Sequence, residues 1–207
     1  MGDPHLKEVY DDMSRYFDEK RTKKYFYSLV KYLKKIIPPG SNVLEIGSGT
    51  GGYCIALAKH GCKCKGVDYS EKMVEVAIKN NKAAGTDCIF KVADVEKEIP
   101  FKEKFDFIIS MDSWEFFPKP KEVLKNVNEK MKPSGLFLIF TPSMLFALPI
   151  IAAEKLKIKK LSPAYTYFNS FKYRVRKFAR EGNFRITRYD YIFNRMTIIY
   201  YLRKKIK

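Results

Sequence analysis

The segment that most restricts the fold is a short apolar run that leads directly into a glycine-rich turn, Val43-Leu-Glu-Ile-Gly-Ser-Gly-Thr-Gly-Gly-Tyr53. Such a run predicts a buried strand, and the glycines allow positive φ and let a ligand lie against the backbone. Gly47, Gly49 and Gly52 also satisfy the GxGxxG pattern of a dinucleotide site. The segment therefore predicts a strand, a turn and a helix that together bind a nucleotide-like ligand.

Three acidic residues help to distinguish the candidate ligands. Asp68 stands 21 positions after Gly47, which fits NAD and S-adenosylmethionine equally. Glu45 lies two residues before the first glycine, where a carboxylate suits a cationic sulfonium better than a pyrophosphate, and Asp94 ends a further strand, where it can meet an adenine amino group. About 40 residues of helical pattern precede the first strand, and the chain is too short to supply the catalytic half of a dehydrogenase. Together these features favour S-adenosylmethionine.

The rest of the chain alternates short apolar runs with helical patterns. Apolar residues at helical spacing fill the first 37 residues, and Pro38-Pro39-Gly40 ends that stretch. Ser70 is the expected N-cap, and Gly85 the expected C-cap, of a central helix. The predicted strands are 42–46, 63–67, 88–92, 105–110, 135–140, 184–193 and 196–202, and the predicted helices among them are 51–60, 70–85, 119–131 and 170–180. This alternation predicts a parallel sheet with helices on both faces.

The chain resembles the class I S-adenosylmethionine-dependent methyltransferases over most of residues 10–205. Five motifs in order carry the resemblance: Leu44-Glu-Ile-Gly-Ser-Gly-Thr-Gly51, Val67-Asp-Tyr-Ser70, Ala93-Asp94, Phe105-Asp-Phe-Ile-Ile-Ser110 and Met131-Lys-Pro-Ser-Gly-Leu-Phe137. It implies an α/β, Rossmann-like fold with a seven-stranded, mostly parallel sheet, an antiparallel C-terminal hairpin, N-terminal helices and a helical insertion after the fifth strand. We expect a helical extension at 1–40 and a cofactor-binding domain at 41–207, with the insertion at about 143–169.

The resemblance also implies which residues hold the cofactor. The turn from Gly47 to Gly51 cradles the methionine part, Asp68 takes both ribose hydroxyls, and Asp94 with Val95 reads adenine, whose ring Tyr69 and Met73 flank. The full set of expected cofactor-binding residues is Tyr16, Glu45, Gly47, Ser48, Gly49, Gly51, Asp68, Tyr69, Met73, Asp94, Val95 and Ser110. Other interpretations stay open. Glu45 can cap neighbouring amides, Asp68 and Asp94 can be turn residues, and Tyr16 can be a core aromatic rather than a cation–π partner of the sulfonium.

The catalytic candidates lie at the end of the fourth strand, in Ser110-Met-Asp-Ser-Trp-Glu-Phe-Phe-Pro118. A phenol or an acidic carbon needs a base for methylation, so Asp112 and Glu115 are the candidates, and Trp114 is expected to line the pocket. The segment looks most like that of the O-methyltransferases of ubiquinone biosynthesis, which have an acid-x-x-Glu-His run here. Phe116 stands in place of their histidine, which leaves a non-catalytic cofactor-binding module as an alternative.

The charge of the chain, +17 in total, is concentrated at the C-terminal end, where residues 141–207 carry 16 Lys/Arg against 3 Asp/Glu. This asymmetry suggests an anionic partner. The apolar residues 144–151, followed by lysines up to Lys160, predict contact with an anionic membrane surface, by analogy with the same enzymes. The alternative is a lid over the active site.

A basic run with interleaved tyrosines, residues 172–177 with Arg185 and Arg188, makes nucleic acid a further candidate partner.

The remaining expectations concern the cysteines and the location of the protein. The four cysteines do not form a CxxC pair, and Cys62 and Cys64 should point to one face of a strand, so we expect buried thiols in a reducing compartment and no metal site. The uncharged stretch 143–153 is about 17 Å long as a helix, too short to span a bilayer. We expect a cytoplasmic monomer or homodimer, peripheral to the inner face of the membrane if it binds lipid, acting on a small-molecule or lipid-like substrate. The alternative substrate is RNA or protein.

Overall fold

A single sheet organises the part of the chain that the computed structural model describes, which is residues 4–14, 18, 22–143, 148, 171–193 and 195–205. The strands are β1 (Asn42–Ile46), β2 (Lys63–Asp68), β3 (Ile89–Val92), β4 (Phe105–Met111), β5 (Met131–Pro142), β6 (Phe184–Ile192) and β7 (Thr197–Lys204). Their order is β3-β2-β1-β4-β5-β7-β6, and β7 runs antiparallel to both β5 and β6. The first five strands are parallel. The predicted sheet is therefore confirmed.

Six helices accompany this sheet in the described residues: α1 (Pro4–Met13), α2 (Lys23–Ile36), α3 (Gly52–Ala58), α4 (Glu71–Ala84), α5 (Pro120–Lys130) and α6 (Lys172–Glu181). The caps of α4 are as expected. The Ser70 hydroxyl accepts a hydrogen bond from the Met73 N–H at 3.1 Å, and Gly85 takes the left-handed conformation at a φ of 63°. None of the helices described is long and apolar enough to cross a membrane. The expected helical insertion at 143–169 lies almost entirely outside the described residues, and the division at residue 40 stays a prediction.

Both faces of the sheet are buried, which explains why adjacent residues of β1, Val43 and Leu44, are both apolar rather than alternating with polar residues. Val43 belongs to a core formed with α2, α3 and α4, whereas Leu44 and Ile46 belong to a second core formed with α5 and α6. Trp114 is fully buried in this second core beside Phe137. The expectation that Trp114 lines the pocket is therefore wrong, because this large ring is used to fill the space beneath the sheet.

One predicted boundary differs from the structure for a packing reason. Strand β5 begins at Met131 rather than at Gly135, because the Met131 side chain is fully buried and its backbone pairs with Phe105. The register shifts between Phe105 and Phe107, which accommodates the irregular start of the strand. Lys132 forms a salt bridge of 2.8 Å with Asp106 in the neighbouring strand. The sequence pattern alone assigned Met131 to the end of the preceding helix.

All four cysteines are buried thiols, as expected. Cys62 and Cys64 belong to the same core, which agrees with their predicted placement on one face of the chain. In the described residues no group of three or more His, Cys, Asp or Glu side chains is arranged to hold a metal ion. The thiols therefore act as small core side chains.

Candidate cofactor and acceptor site

A cavity of about 360 Å³ opens at the carboxyl ends of the parallel strands. Glu45 from β1, Asp68 from β2 and Met111 from β4 lie on its wall, together with Asp94 from the loop after β3. The position is the crevice where the strand order reverses between β1 and β4, the usual ligand site of an open α/β sheet. The topology therefore places the acidic residues singled out in the sequence around one cavity.

The glycine-rich turn forms one side of this cavity and is locked to the loop that follows β4. The N–H groups of Gly47 and Ser48 both donate to the Val67 carbonyl, at 2.8 and 3.0 Å. Gly47 has a φ of +69°, and a Cβ there would lie 2.5 Å from the Cβ of Ser113. The Ser113 hydroxyl in turn donates to the Ile46 carbonyl at 3.0 Å. A side chain at Gly47 is therefore excluded both by the backbone conformation and by Ser113.

Asp68 is partly buried at the end of β2, where backbone amides hold its carboxylate. The N–H of Gly49 donates to Oδ2 at 2.7 Å, and the N–H of Ser70 donates to Oδ1 at 2.9 Å. Burial raises the pKa of Asp68, and these amide hydrogen bonds oppose that shift. Each carboxylate oxygen has a second lone pair, so the group can accept two more hydrogen bonds, as a pair of ribose hydroxyls requires.

Glu45 and Asp94 occupy other positions on the cavity wall. Glu45 is almost completely buried, and its carboxylate lies close enough to Cys54 to add to the effect of burial in raising the pKa of that thiol. Asp94 accepts a hydrogen bond from the Glu96 N–H at 3.1 Å, so it also stabilises its own turn, as one of the alternatives supposed. Val95 lies beside it on the wall. A turn role and a ligand role are compatible here, because a carboxylate can accept about four hydrogen bonds.

The segment after β4 brings two carboxyl groups, those of Asp112 and Glu115, to the cavity wall. Asp112 has the left-handed backbone conformation, with a φ of 50°, and its carboxylate accepts hydrogen bonds from the Tyr25 hydroxyl at 3.0 Å from each oxygen. Glu115 is buried and accepts a hydrogen bond from the Thr141 hydroxyl at 2.9 Å. Burial, with a smaller contribution from Asp112, raises the pKa of Glu115 to about 8. The two carboxyl groups therefore have different environments, which is typical of acid and base pairs.

Comparison with known proteins identifies the family. A family model described as "Methyltransferase domain" matches residues 37–194. The chain belongs to the methyltransferase-domain family. This membership confirms the family that was expected from the sequence motifs, and it agrees with the expected enzyme class and with S-adenosylmethionine as the expected methyl donor.

Individual relatives match this methyltransferase over part of its length. The Ubiquinone biosynthesis O-methyltransferase of Coxiella burnetii is 33% identical over 113 residues, which cover 54% of this chain and 48% of that protein. The Sarcosine/dimethylglycine N-methyltransferase of Halorhodospira halochloris is 32% identical over 113 residues, covering 53% and 40%. The match thus spans about half the length of these curated relatives. The crystal structure of magnesium protoporphyrin IX methyltransferase from Synechocystis with bound SAH superposes with a TM-score of 0.69 at 19% identity, covering 88% and 83% of the chains, and shares the fold.

Most of the residues expected to bind the cofactor lie on the wall of this methyltransferase's cavity. These are Glu45, Gly47, Ser48, Gly49, Asp68, Tyr69, Met73, Asp94 and Val95, with the catalytic candidates Asp112 and Glu115. Gly51 and Ser110 lie behind the wall. Gly51 is the N-cap of α3 with a φ of +80°, and the Phe90 ring fills the space that a side chain there would need. The Ser110 hydroxyl lies 2.7 Å from that of Ser113. Tyr16 falls outside the described residues.

Several residues that the sequence analysis did not select contribute to the methyltransferase site. Tyr10 of α1 lines the cavity and packs edge-on against Phe116, with ring centroids 5.6 Å apart. Tyr25, Ser113 and Thr141 hold the residues at its wall, as described above. The spacing of Tyr10 and Tyr25 in their helices marks them as buried aromatics, and only the packing of α1 and α2 against the sheet brings them to the site.

Proposed function

We propose that the protein transfers the methyl group of S-adenosylmethionine to a small-molecule or lipid-like acceptor with an acidic hydroxyl, such as a quinone precursor. The observation that carries the proposal is the presence of Asp112 and Glu115 at one end of the cavity whose other walls hold the glycine turn and Asp68. A hydroxyl must lose its proton to become a good nucleophile, and a carboxylate beside it supplies the base. The O-methyltransferase relative from Coxiella burnetii supports the same class of acceptor.

The residues of the cavity have separate tasks in this proposal. Asp68, Asp94 and the turn from Gly47 to Gly49 hold S-adenosylmethionine, which supplies an activated methyl group on its sulfonium centre. Asp112 accepts the proton of the acceptor hydroxyl. Glu115 is mostly protonated at pH 7, because its pKa is raised to about 8, so it can donate a hydrogen bond to the acceptor. Most of the rate enhancement then comes from holding the hydroxyl oxygen in line with the methyl carbon.

The test is a methyl-transfer assay with two matched compounds, one with acidic hydroxyl groups and one in which those hydroxyl groups are already methylated. Tritiated S-adenosylmethionine is incubated with the protein and either 4-methylcatechol or its dimethyl ether, and with sarcosine as an amine probe. We expect label in the catechol alone, and a loss of at least about tenfold in Asp112→Asn. Transfer to sarcosine instead would show that the acceptor group is an amine rather than a hydroxyl. Tight binding of S-adenosylhomocysteine without transfer to any probe would support the non-catalytic module.

A second candidate function, methylation of RNA or protein, is favoured by the surface formed by α6 and β6. Lys172 lies over the ring of Tyr189, 3.3 Å from its centroid, and Tyr173 is 64% exposed. Arg176 and Lys177 lie beside them on the same surface. Aromatic rings between basic side chains are typical of surfaces that bind nucleic acid, and they also occur at membrane interfaces.

We infer that the protein is cytoplasmic and peripheral to the inner face of the membrane, with contact through residues 144–160, which lie almost entirely outside the described residues. Flotation with anionic and neutral liposomes, at low and high salt and with competing tRNA, tests this proposal. Salt-resistant binding to anionic liposomes that tRNA does not displace would support insertion of the apolar segment. Displacement by tRNA would favour RNA as the methyl acceptor. If the protein does not float with either kind of liposome, the alternative that residues 144–151 form a lid over the active site is favoured.

A further inference from the structure

One side chain of helix α2, that of Tyr25, contacts Asp112, which lies on the cavity wall. The Tyr25 hydroxyl lies 3.0 Å from both carboxylate oxygens of Asp112. It also lies 3.3 Å from the Thr197 hydroxyl, at the start of β7. Elements that are 87 and 172 residues apart in sequence therefore meet at one phenol oxygen.

The three groups form a hydrogen-bond chain with a definite direction. An ionised carboxylate only accepts hydrogen bonds, and a phenol has a single proton to donate. Tyr25 therefore donates its proton to Asp112, and Thr197 donates to the Tyr25 oxygen. Burial, reinforced by the negative charge of Asp112, raises the pKa of Tyr25 well above its ordinary value. Tyr25 consequently remains a hydrogen-bond donor at every pH at which the enzyme is expected to work.

The ring of Tyr25 is held as firmly as its hydroxyl. It packs at a tilt against Phe193, with ring centroids 4.8 Å apart. About two turns further along α2, the Tyr32 hydroxyl is bonded to Asp190 and to Tyr201 on the C-terminal hairpin. These contacts anchor the helix on the sheet, so Tyr25 is presented to Asp112 from a rigid element rather than from a loop.

The backbone of Asp112 is constrained, because its N–H donates to the Phe140 carbonyl at 3.0 Å and its φ is positive. The carboxylate, however, turns about two side-chain torsions. The neighbouring Glu115 is held by Thr141 on β5 and not by Tyr25, so the two carboxyl groups have separate supports.

From this geometry we infer that Tyr25 is a positioning residue, which orients the Asp112 carboxylate toward the acceptor so that α2 completes the reaction site. The inference rests on the proposed function, in which Asp112 is the base. It assigns a role in the reaction to the N-terminal helix. A displacement of the base by about 1 Å from the proton that it accepts can lower the reaction rate by about a hundredfold.

The experiment is a double-mutant cycle on turnover, with 4-methylcatechol as the acceptor. Tyr25→Phe keeps the ring and removes the hydroxyl, and Asp112→Asn keeps the shape and tolerates the left-handed conformation. We expect Tyr25→Phe to lower kcat about ten- to hundredfold, as the loss of a hydrogen bond to a charged group implies. The Kd for S-adenosylhomocysteine should change less than about twofold. In the Asp112→Asn background, Tyr25→Phe should cause no further loss.

The matched control is Tyr27→Phe, which removes a hydroxyl from a residue that is 65% exposed on the same helix. It should leave kcat unchanged. If the losses of kcat caused by Tyr25→Phe and by Asp112→Asn multiply in the double variant, the inference is overturned. Tyr25 would then affect turnover independently of Asp112, through the packing of the helix. An equal loss of S-adenosylhomocysteine affinity in Tyr25→Phe would do the same.

If the proposed function is wrong, the wild-type protein will methylate none of the probes, and this outcome is distinguishable from a failure of the inference about Tyr25. The same four proteins are then compared by urea unfolding in the presence of S-adenosylhomocysteine. Non-additive changes in the free energy of unfolding would support the orientation of Asp112 by Tyr25 even so. Additive changes would overturn it.

Discussion

Ser113 occupies the space that a side chain at Gly47 would need, since a Cβ on Gly47 would lie 2.5 Å from the Cβ of Ser113 and 2.7 Å from its Oγ. This contact joins the glycine turn after β1 to the loop after β4. The glycine turn and the segment that carries Asp112 and Glu115 are therefore packed directly against one another. A substitution in one is expected to shift the other.

The first prediction follows from this contact. Gly47→Ala should abolish measurable binding of S-adenosylhomocysteine by isothermal titration calorimetry, because both the φ of +69° and the clash displace the turn. Gly85→Ala is the control, because it has a similar φ of +63° with nothing within 4 Å. It should cost about 1–2 kcal/mol of stability and leave binding unchanged. Normal binding by Gly47→Ala would show that the turn does not contact the ligand.

The second prediction concerns Asp68. Asp68→Ala removes the acceptor of the Gly49 and Ser70 amides and the two remaining acceptor sites. We expect the Kd for S-adenosylhomocysteine to rise at least about a hundredfold, since each hydrogen bond to a charged group is worth about 1.5–3 kcal/mol. Asp106→Asn, which breaks the salt bridge to Lys132 away from the cavity, should leave the Kd unchanged. Near-normal affinity in Asp68→Ala would remove Asp68 from the site.

The third prediction is a pH dependence of stability caused by Glu115. Its pKa is raised to about 8 in the folded protein, mainly by burial, from an ordinary value near 4.5. Between these values the folded state binds more protons than the unfolded state, so the contribution of Glu115 to stability falls as pH rises, at up to about 1.4 kcal/mol per pH unit. Urea unfolding at pH 5, 6.5 and 8 should therefore show that Glu115→Gln gains stability relative to wild type as pH rises.

An exposed carboxyl provides the comparison for that experiment. Glu122→Gln, at a solvent-exposed position in the first turn of α5, should show a nearly constant difference from wild type across the same pH range. If the Glu115→Gln difference is equally flat, Glu115 is ionised throughout and cannot donate a hydrogen bond to the acceptor.

The fourth prediction concerns the attachment of α1 over the cavity. The Asp11 carboxylate is bonded to the Ser70 hydroxyl and lies 3.4 Å from the Lys72 N–H, so it ties α1 to the start of α4. Asp11→Ala should speed the dissociation of S-adenosylhomocysteine several-fold in a stopped-flow displacement assay, roughly as expected for the loss of about 1 kcal/mol. Asp12→Ala, which removes an exposed carboxyl from the next position, should leave the rate unchanged. Equal rates in all three proteins would show that α1 does not restrict release.

Local pattern was sufficient for the elements that one short segment determines. The run from Val43 to Ile46 is apolar apart from Glu45, so it forms a strand, and the glycines that follow permit the positive φ values that the turn requires. Ser70 and Gly85 mark the ends of α4 by the same local chemistry. The start of β5 at Met131 was missed, because pairing with Phe105 depends on a strand about 25 residues away in the chain.

The residues of the site divide in the same way. Glu45, Asp68 and Asp94 were predicted from their positions relative to the glycine turn and the strand ends. They line one cavity because parallel strands bring their carboxyl ends to one edge of the sheet. The burial of Trp114 and the support of Asp112 by Tyr25 were not recognised. They depend on which side chains share a small volume after the helices have packed, and sequence spacing does not contain that information.

The amino-acid order was enough to predict the family, the strand–turn–helix unit and the acidic residues around it, because these depend on short-range spacing and on the backbone freedom of glycine. The folded packing was needed to show that Tyr25 meets Asp112, that Ser113 fills the space beside Gly47 and that the Glu115 carboxyl is buried. Burial, the electrostatic environment and hydrogen-bond partners belong to a side chain only in its folded surroundings. The chemistry of the two carboxyl groups is therefore a property of the packed protein.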